Sequence, residues 1–189
     1  LISLMRPALC GSDSNPDPHE RIFKKSLALI EAHIANEALC PDMIARDIGD
    51  PSTGLPLVVH TRSAGADTVA LLRDEGQGAV RGVFHCFTET AEVAGAALDL
   101  GFYISFSGIL TFKNAQDLRD IAAWLPLERM LIETDSPYLA PVPYRGKLNN
   151  PSYVPLVAKL LGELRGTTSE AIGELTTQNF LNLFAKTAA

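Results

Sequence analysis

The chain has 189 residues, 47% of them apolar and 20% charged, with a formal net charge of −6. This is the balance of a soluble globular protein long enough for one domain with a real core. The acidic balance excludes a broad basic footprint for nucleic acid, so a phosphate substrate would need a metal and a few local Arg or Lys residues. The apolar stretches are short and broken by charges or Gly, so no membrane span is expected. The opening LISLMRPALCGSDSNPDP has neither a basic leader nor a long apolar run, so no secretory signal is expected. Three cysteines, Cys10, Cys40 and Cys86, form no C-x-x-C pair, which suggests reduced thiols and a cytoplasmic protein.

Residues 1–18 are rich in Gly, Ser, Asn and Pro and read as loop. In HERIFKKSLALIEAHIANEA (19–38), Ile22, Phe23, Leu27, Ile30, His33 and Ile34 recur at helical spacing. Residues 39–54 read as a connector. The first division of the chain is therefore an irregular and helical segment over 1–54, with a second region over 55–189.

From residue 55 the pattern becomes regular. LPLVVH is a strand-like run bounded by Gly54 and Pro56, followed by a helix near Ala66–Glu75 that Gly76 stops. AVRGVFHCF precedes the Ala-rich helix TAEVAGAALDL, which Gly101 stops. FYISFSG precedes NAQDLRDIAAWL, and RMLIETD is the fourth run. Strands near residues 57, 82, 103 and 130 are about one βα unit apart, which predicts a parallel α/β sheet. A Pro-rich loop, SPYLAPVPYRGKLNNP, and helices near Tyr153–Leu164 and Thr176–Ala185 complete the chain.

Each run ends on polar residues: His60; His85; Ser105 and Ser107; Glu133 and Asp135. Parallel α/β folds place ligands at the carboxyl ends of strands, so four consecutive units point to one mouth. Neutral imidazoles and a carboxylate suit a divalent ion, with His60, His85 and Asp135 as ligands. Such an ion would polarise a phosphoryl or carbonyl oxygen and acidify water. Glu133, two residues before Asp135, is expected on the same strand face, orienting a ligand or meeting the substrate. Arg62, Arg145 and Lys147 lie where they could hold phosphate. Ser105 and Ser107 read as packing or hydrogen-bonding groups, not nucleophiles. Cys86 is expected to alternate away from His85 as a small buried residue. His19 and His33 belong to no motif.

The strings LPLVVHTR, GVFHCFT, YISFSGILTFK, LIETDSPYLAPVPYRGKLNNPSYV and TTQNFLNLF resemble the TatD family of metal-dependent deoxyribonucleases. The resemblance covers about residues 55–186. It implies a TIM-like (β/α) barrel of the metallo-dependent hydrolase superfamily that hydrolyses DNA phosphodiester bonds with a divalent metal, Mg, Mn or Zn. His60, His85 and Asp135 match metal ligands of the family, Asp135 and Glu133 are the expected catalytic carboxylates, and Arg62, Arg145 and Asn149 fall in motifs near the substrate mouth. Two departures stand out. The family's opening H-x-H pair and its GE-x-GLD-like strand are not found. The visible units correspond to the last four βα units, so an incomplete barrel is expected, with self-association through open sheet edges. Two alternatives stay open at this point: a non-catalytic remnant or fragment that binds a partner, and a metallohydrolase acting on amides or lactones.

Overall fold

The computed structural model describes residues 55–76, 78 and 80–185. The helix expected over 19–38, the connector over 39–54 and the division near residue 54 lie outside them. In chain order the elements are β1 (Leu57–His60), α1 (Gly65–Gly76), β2 (Gly82–His85), α2 (Ala91–Asp99), β3 (Tyr103–Phe106), α3 (Gln116–Trp124), β4 (Met130–Ile132), α4 (Val154–Arg165) and α5 (Ser169–Leu183). Short 3-10 turns occupy Gly108–Thr111, Leu127–Arg129 and Pro151–Tyr153. The four strands form one parallel sheet in the order β1-β2-β3-β4. The expected strand starts and the parallel topology therefore match the structure.

The register explains the core. Val59 pairs with Phe84, Phe84 with Ile104, and Ile104 with Met130, so one apolar row crosses all four strands. These four share a cluster with Val93 and Ala97 of α2, Ile121 of α3 and Leu161 of α4. The opposite sheet face carries Val83, Tyr103 and Leu131, which pack with Leu183 of α5. Successive strand residues point to opposite faces. His85 therefore continues the face of Val83, and Ser105 the face of Tyr103. The register sets His60 beside His85.

Caps and turns fix the helix ends. The Thr90 side chain accepts from Val93 N at the start of α2, and Thr168 from Ala171 N at the start of α5. Gly166, at φ 64°, ends α4 in the left-handed conformation that favours glycine. Arg165 reaches the carbonyls of Ala122, Ala123 and Leu125, closing the C-terminus of α3 with a cation.

Two elements differ from the sequence reading. The last helix begins at Ser169, seven residues before the expected Thr176. Gly173 and the polar run around it blur the period, while the cap that starts the helix is the Thr168 hydroxyl. The fourth strand ends at Ile132, so Glu133 and Asp135 stand beyond it. Glu133 is still held to β3 through its N–H, which donates to Phe106 O at 3.0 Å. Asp135 turns into the left-handed region at φ 59°.

The Pro-rich loop is braced from within. Asn149 is buried, and its Nδ2 donates to Thr134 O and Tyr138 O at 2.6 Å each. Tyr144 stacks on Tyr153 with ring centroids 4.3 Å apart. Val142 N donates to Thr111 Oγ1 at 2.9 Å. Gly108 lies under the loop, where a Cβ would collide with Leu139 O.

Candidate metal centre

The carboxyl ends of β2 and β4 bring three groups together. His85, Glu133 and Asp135 each offer one ligand atom, all within 4.8 Å of one another. His85 Nδ1 donates to Glu133 Oε2 at 2.8 Å and also lies 2.7 Å from Oε1. Its other nitrogen, Nε2, faces Asp135 Oδ1 at 3.5 Å. An imidazole whose Nδ1–H is held by a carboxylate presents a fixed Nε2 lone pair, the arrangement of a metal-ligating histidine. The same hydrogen bond, donated to Glu133, raises the His85 pKa, against the opposing effect of burial and with help from the charges of Glu133 and Asp135.

A further observation tests whether a cation suits this donor set. Glu133 Oε1 is buried, and its one close polar neighbour among the described residues is the same His85 Nδ1 at 2.7 Å, so both oxygens of this carboxylate converge on a single N–H. Buried carboxylate oxygens are normally satisfied. Two carboxylate oxygens that share one N–H, beside an imidazole and a second carboxylate, have lone pairs to spare and form a donor set that fits a divalent cation.

A second line of contacts runs beside the first. Ser105 Oγ donates to Glu133 Oε2 at 2.6 Å. Ser107 Oγ lies 3.4 Å from Cys86 Sγ, and Cys86 Sγ donates toward Asp135 Oδ2 at 3.8 Å. Cys86 is buried, as expected, but it does not alternate away from the site. Its φ of 49° breaks the strand geometry after His85 and turns the thiol toward Asp135. Burial pushes that thiol's pKa up to about 11.

The remaining candidates stand around this group. His60 is exposed and lies beside His85, ring centroids 5.5 Å apart, outside the three-residue cluster. Arg62 is exposed beyond β1. Arg145 places its guanidinium 4.4 Å from the Phe112 ring, and Lys147 its ammonium 5.9 Å from that of Tyr144. No carboxylate among the described residues pairs with either cation. Asn149 commits both amide hydrogens to its own loop, so the structure gives it a bracing contact instead of an open donor. Ser105 and Ser107 are hydrogen-bonding groups, as their residue types suggested, but the sequence did not show their partners or the turn of Cys86 toward Asp135. Their one visible signal was period-two spacing of polar residues at the end of β3.

A parallel α/β sheet with histidine and carboxylate donors at the carboxyl ends of β2 and β4, on either side of β3, defines the class of metal-dependent α/β hydrolases. The chain belongs to the TatD-related DNase family, whose pattern it matches over residues 51–185. It is similar to the uncharacterized metal-dependent hydrolase YcfH of Escherichia coli K12, 58% identical over 129 residues, covering 68% of this chain and 49% of that one. It is also similar to the uncharacterized metal-dependent hydrolase YabD of Bacillus subtilis, 48% identical over 130 residues, covering 69% of this chain and 51% of that one. The crystal structure of YJJV, a TatD homolog from E. coli K12, superposes with a TM-score of 0.66 at 28% identity, covering 71% of this chain and 52% of that one. The fold class expected from the sequence, α/β and TIM-like, agrees with these relatives. The chain spans about half the length of the relatives it matches. No described helix is long and apolar enough to cross a membrane.

Proposed function

We propose that the chain supplies the His85–Glu133–Asp135 portion of a metal-dependent phosphodiesterase that cleaves DNA. The observation that carries this reading is the division of His85 between two carboxylates: Glu133 holds Nδ1, and Asp135 faces Nε2. His85 and Asp135 would hold the ion, with Glu133 fixing the imidazole and its Oε1, which shares the His85 N–H with Oε2, close to the same centre. A bound divalent cation supplies Lewis acidity, lowering the pKa of water and polarising a phosphoryl oxygen. In the hydrolysis, the water oxygen bonds to phosphorus, the P–O bond to the leaving nucleotide breaks, and the departing oxygen takes a proton. Arg145 and Lys147, held on aromatic faces instead of carboxylates, keep their charge available for the DNA backbone. His60 at the end of β1 and Arg62 two residues past it would extend the same mouth, and Asn149 keeps the loop in place. A cytoplasmic location fits the cysteine usage.

The test is a plasmid-nicking assay with added Mn²⁺ or Mg²⁺. Cleavage that needs the ion, stops with a chelator and is lost in Asp135→Asn and Glu133→Gln supports the reading. Nicking that survives the chelator or Asp135→Asn contradicts it.

The half-length match favours a second reading, that of a fragment or non-catalytic remnant which associates through open sheet edges. Val58 on β1, an outer strand of the sheet among the described residues, is a 62% exposed apolar group. A chain that binds no divalent ion and elutes as a dimer in gel filtration would favour this reading over the enzyme.

A further inference from the structure

β3 supplies no member of the His85–Glu133–Asp135 group. Yet Ser105 on β3 touches Glu133 directly, and Ser107, one residue past the strand, reaches Asp135 through Cys86. Ser105 and Ser107 are each 3% exposed, so burying their hydroxyls requires partners. Period-two spacing sends both toward the site. The Ser105 partner is the Glu133 oxygen that also accepts from His85 Nδ1: the O–H···O distance is 2.6 Å and the N–H···O distance 2.8 Å. A contact that short to a carboxylate is charge-assisted, and it fixes the plane of the carboxyl group that in turn fixes the imidazole. The Ser107 partner is the Cys86 thiol. With the thiol hydrogen directed at Asp135 Oδ2, Ser107 donates to the sulfur. Asp135 then has one oxygen facing His85 and the other facing a thiol backed by a hydroxyl. Cys86 and Asp135 both hold left-handed φ values, 49° and 59°, which non-glycine residues keep only where their surroundings hold them.

We propose that the carboxyl end of β3 and the residue after it position this site: Ser105 fixes His85 through Glu133, and Ser107 fixes Asp135 through Cys86. The inference rests on the metal-binding reading above and adds two positioning residues to it. The plain alternative is that two buried hydroxyls merely satisfy themselves at the end of a strand. The two accounts differ in coupling. Under positioning, removing Ser105 matters only while Glu133 is there to be oriented. As packing, its loss adds to any other loss, as independent sites do.

The test is a pair of double-mutant cycles on Mn²⁺ affinity, read by the free-ion EPR signal, with circular dichroism confirming that each chain is folded. Ser105→Ala is expected to weaken Mn²⁺ binding about tenfold, the lower end for groups that orient a ligand. In a Glu133→Gln background the same change is expected to cost nothing further. Ser107→Ala is expected to cost less, because its route passes through a weak sulfur contact, and to be silent in Cys86→Ala. Ser105→Cys, with similar volume and a weaker donor, falls between wild type and Ser105→Ala, which keeps the test available if the alanine variant misfolds. Serine losses that are absent, or that persist in full in the Glu133→Gln and Cys86→Ala backgrounds, overturn the proposal while leaving the metal site standing. A wild-type chain that binds Mn²⁺ no better than Asp135→Asn overturns the metal reading, and the positioning role with it.

Discussion

Asn179 sits on α5 and is 3% exposed. Its Nδ2 donates to Leu127 O and to Met130 O, both at 2.8 Å, and so ties the last helix to the first residue of β4. Asn179→Ala removes both bonds. Each is worth about 1 kcal/mol net, and a buried carbonyl left without a donor costs about 1–3 kcal/mol more. Met130 O is the buried acceptor, whereas the Leu127 contact is partly buried, where water can substitute. The combined loss is therefore about 2–4 kcal/mol. A chain of this size loses about 2–4 °C of Tm per kcal/mol, which gives a fall of about 4–16 °C in a thermal melt followed by circular dichroism. Asn179→Asp goes further at neutral pH, since a carboxylate facing two carbonyls has no hydrogen to donate. Its deficit narrows as acid protonates the introduced group and restores one donor. A melt of Asn179→Ala within about 2 °C of wild type would refute the reasoning, because the brace would then carry less than a single hydrogen bond.

Gly108→Ala is expected to lower the urea midpoint by the equivalent of about 1–3 kcal/mol, because the new Cβ meets Leu139 O and drives the 136–150 loop from its seat. Gly95→Ala in α2, where a Cβ meets nothing within 4 Å, is the matched control and should be neutral or stabilising. With Cys10 and Cys40 replaced by Ser, Cys86 is expected to react with a disulfide reagent at pH 8 only slowly in the native chain and fully in urea. Its thiol is buried and its pKa is pushed up to about 11. Native reaction at the unfolded rate would contradict the burial. His85 has its pKa raised, chiefly by its hydrogen bond to Glu133. A group whose folded pKa is raised stabilises the fold fully below its unfolded value, near 6.5, and loses that contribution as pH rises through the folded value. In metal-free buffer, the stability gap between wild type and His85→Ala should therefore shrink as pH is raised above about 6.5, measured by urea unfolding. A gap that widens over that range would reverse the assignment.

Much of the fold was legible because each βα unit announces itself. Gly54, Gly76 and Gly101 punctuate apolar runs too short for anything but buried strands, and the strands begin where those runs begin. The site was legible because a polar residue closing a buried parallel strand has no structural reason to be there four times over. Other features depend on geometry that spacing does not encode. Cys86 turns toward Asp135 because its φ is positive, which breaks the alternation that sent it away. His60 matches a family ligand by sequence but stays outside the cluster, while Glu133 joins it from beyond the end of β4. Asn149 and Asn179 look like open polar groups in the sequence; both are braces, because the carbonyls they reach lie as far as 52 residues away in the chain.

The central claim is that His85, Glu133 and Asp135 together hold a divalent ion. Calorimetric titration of Mn²⁺ into the purified chain at neutral pH, beside His85→Ala and His60→Ala, tests it most directly. The account predicts binding by the wild type, loss of that binding in His85→Ala, and a smaller effect in His60→Ala. Equal heats from wild type and His85→Ala would contradict it.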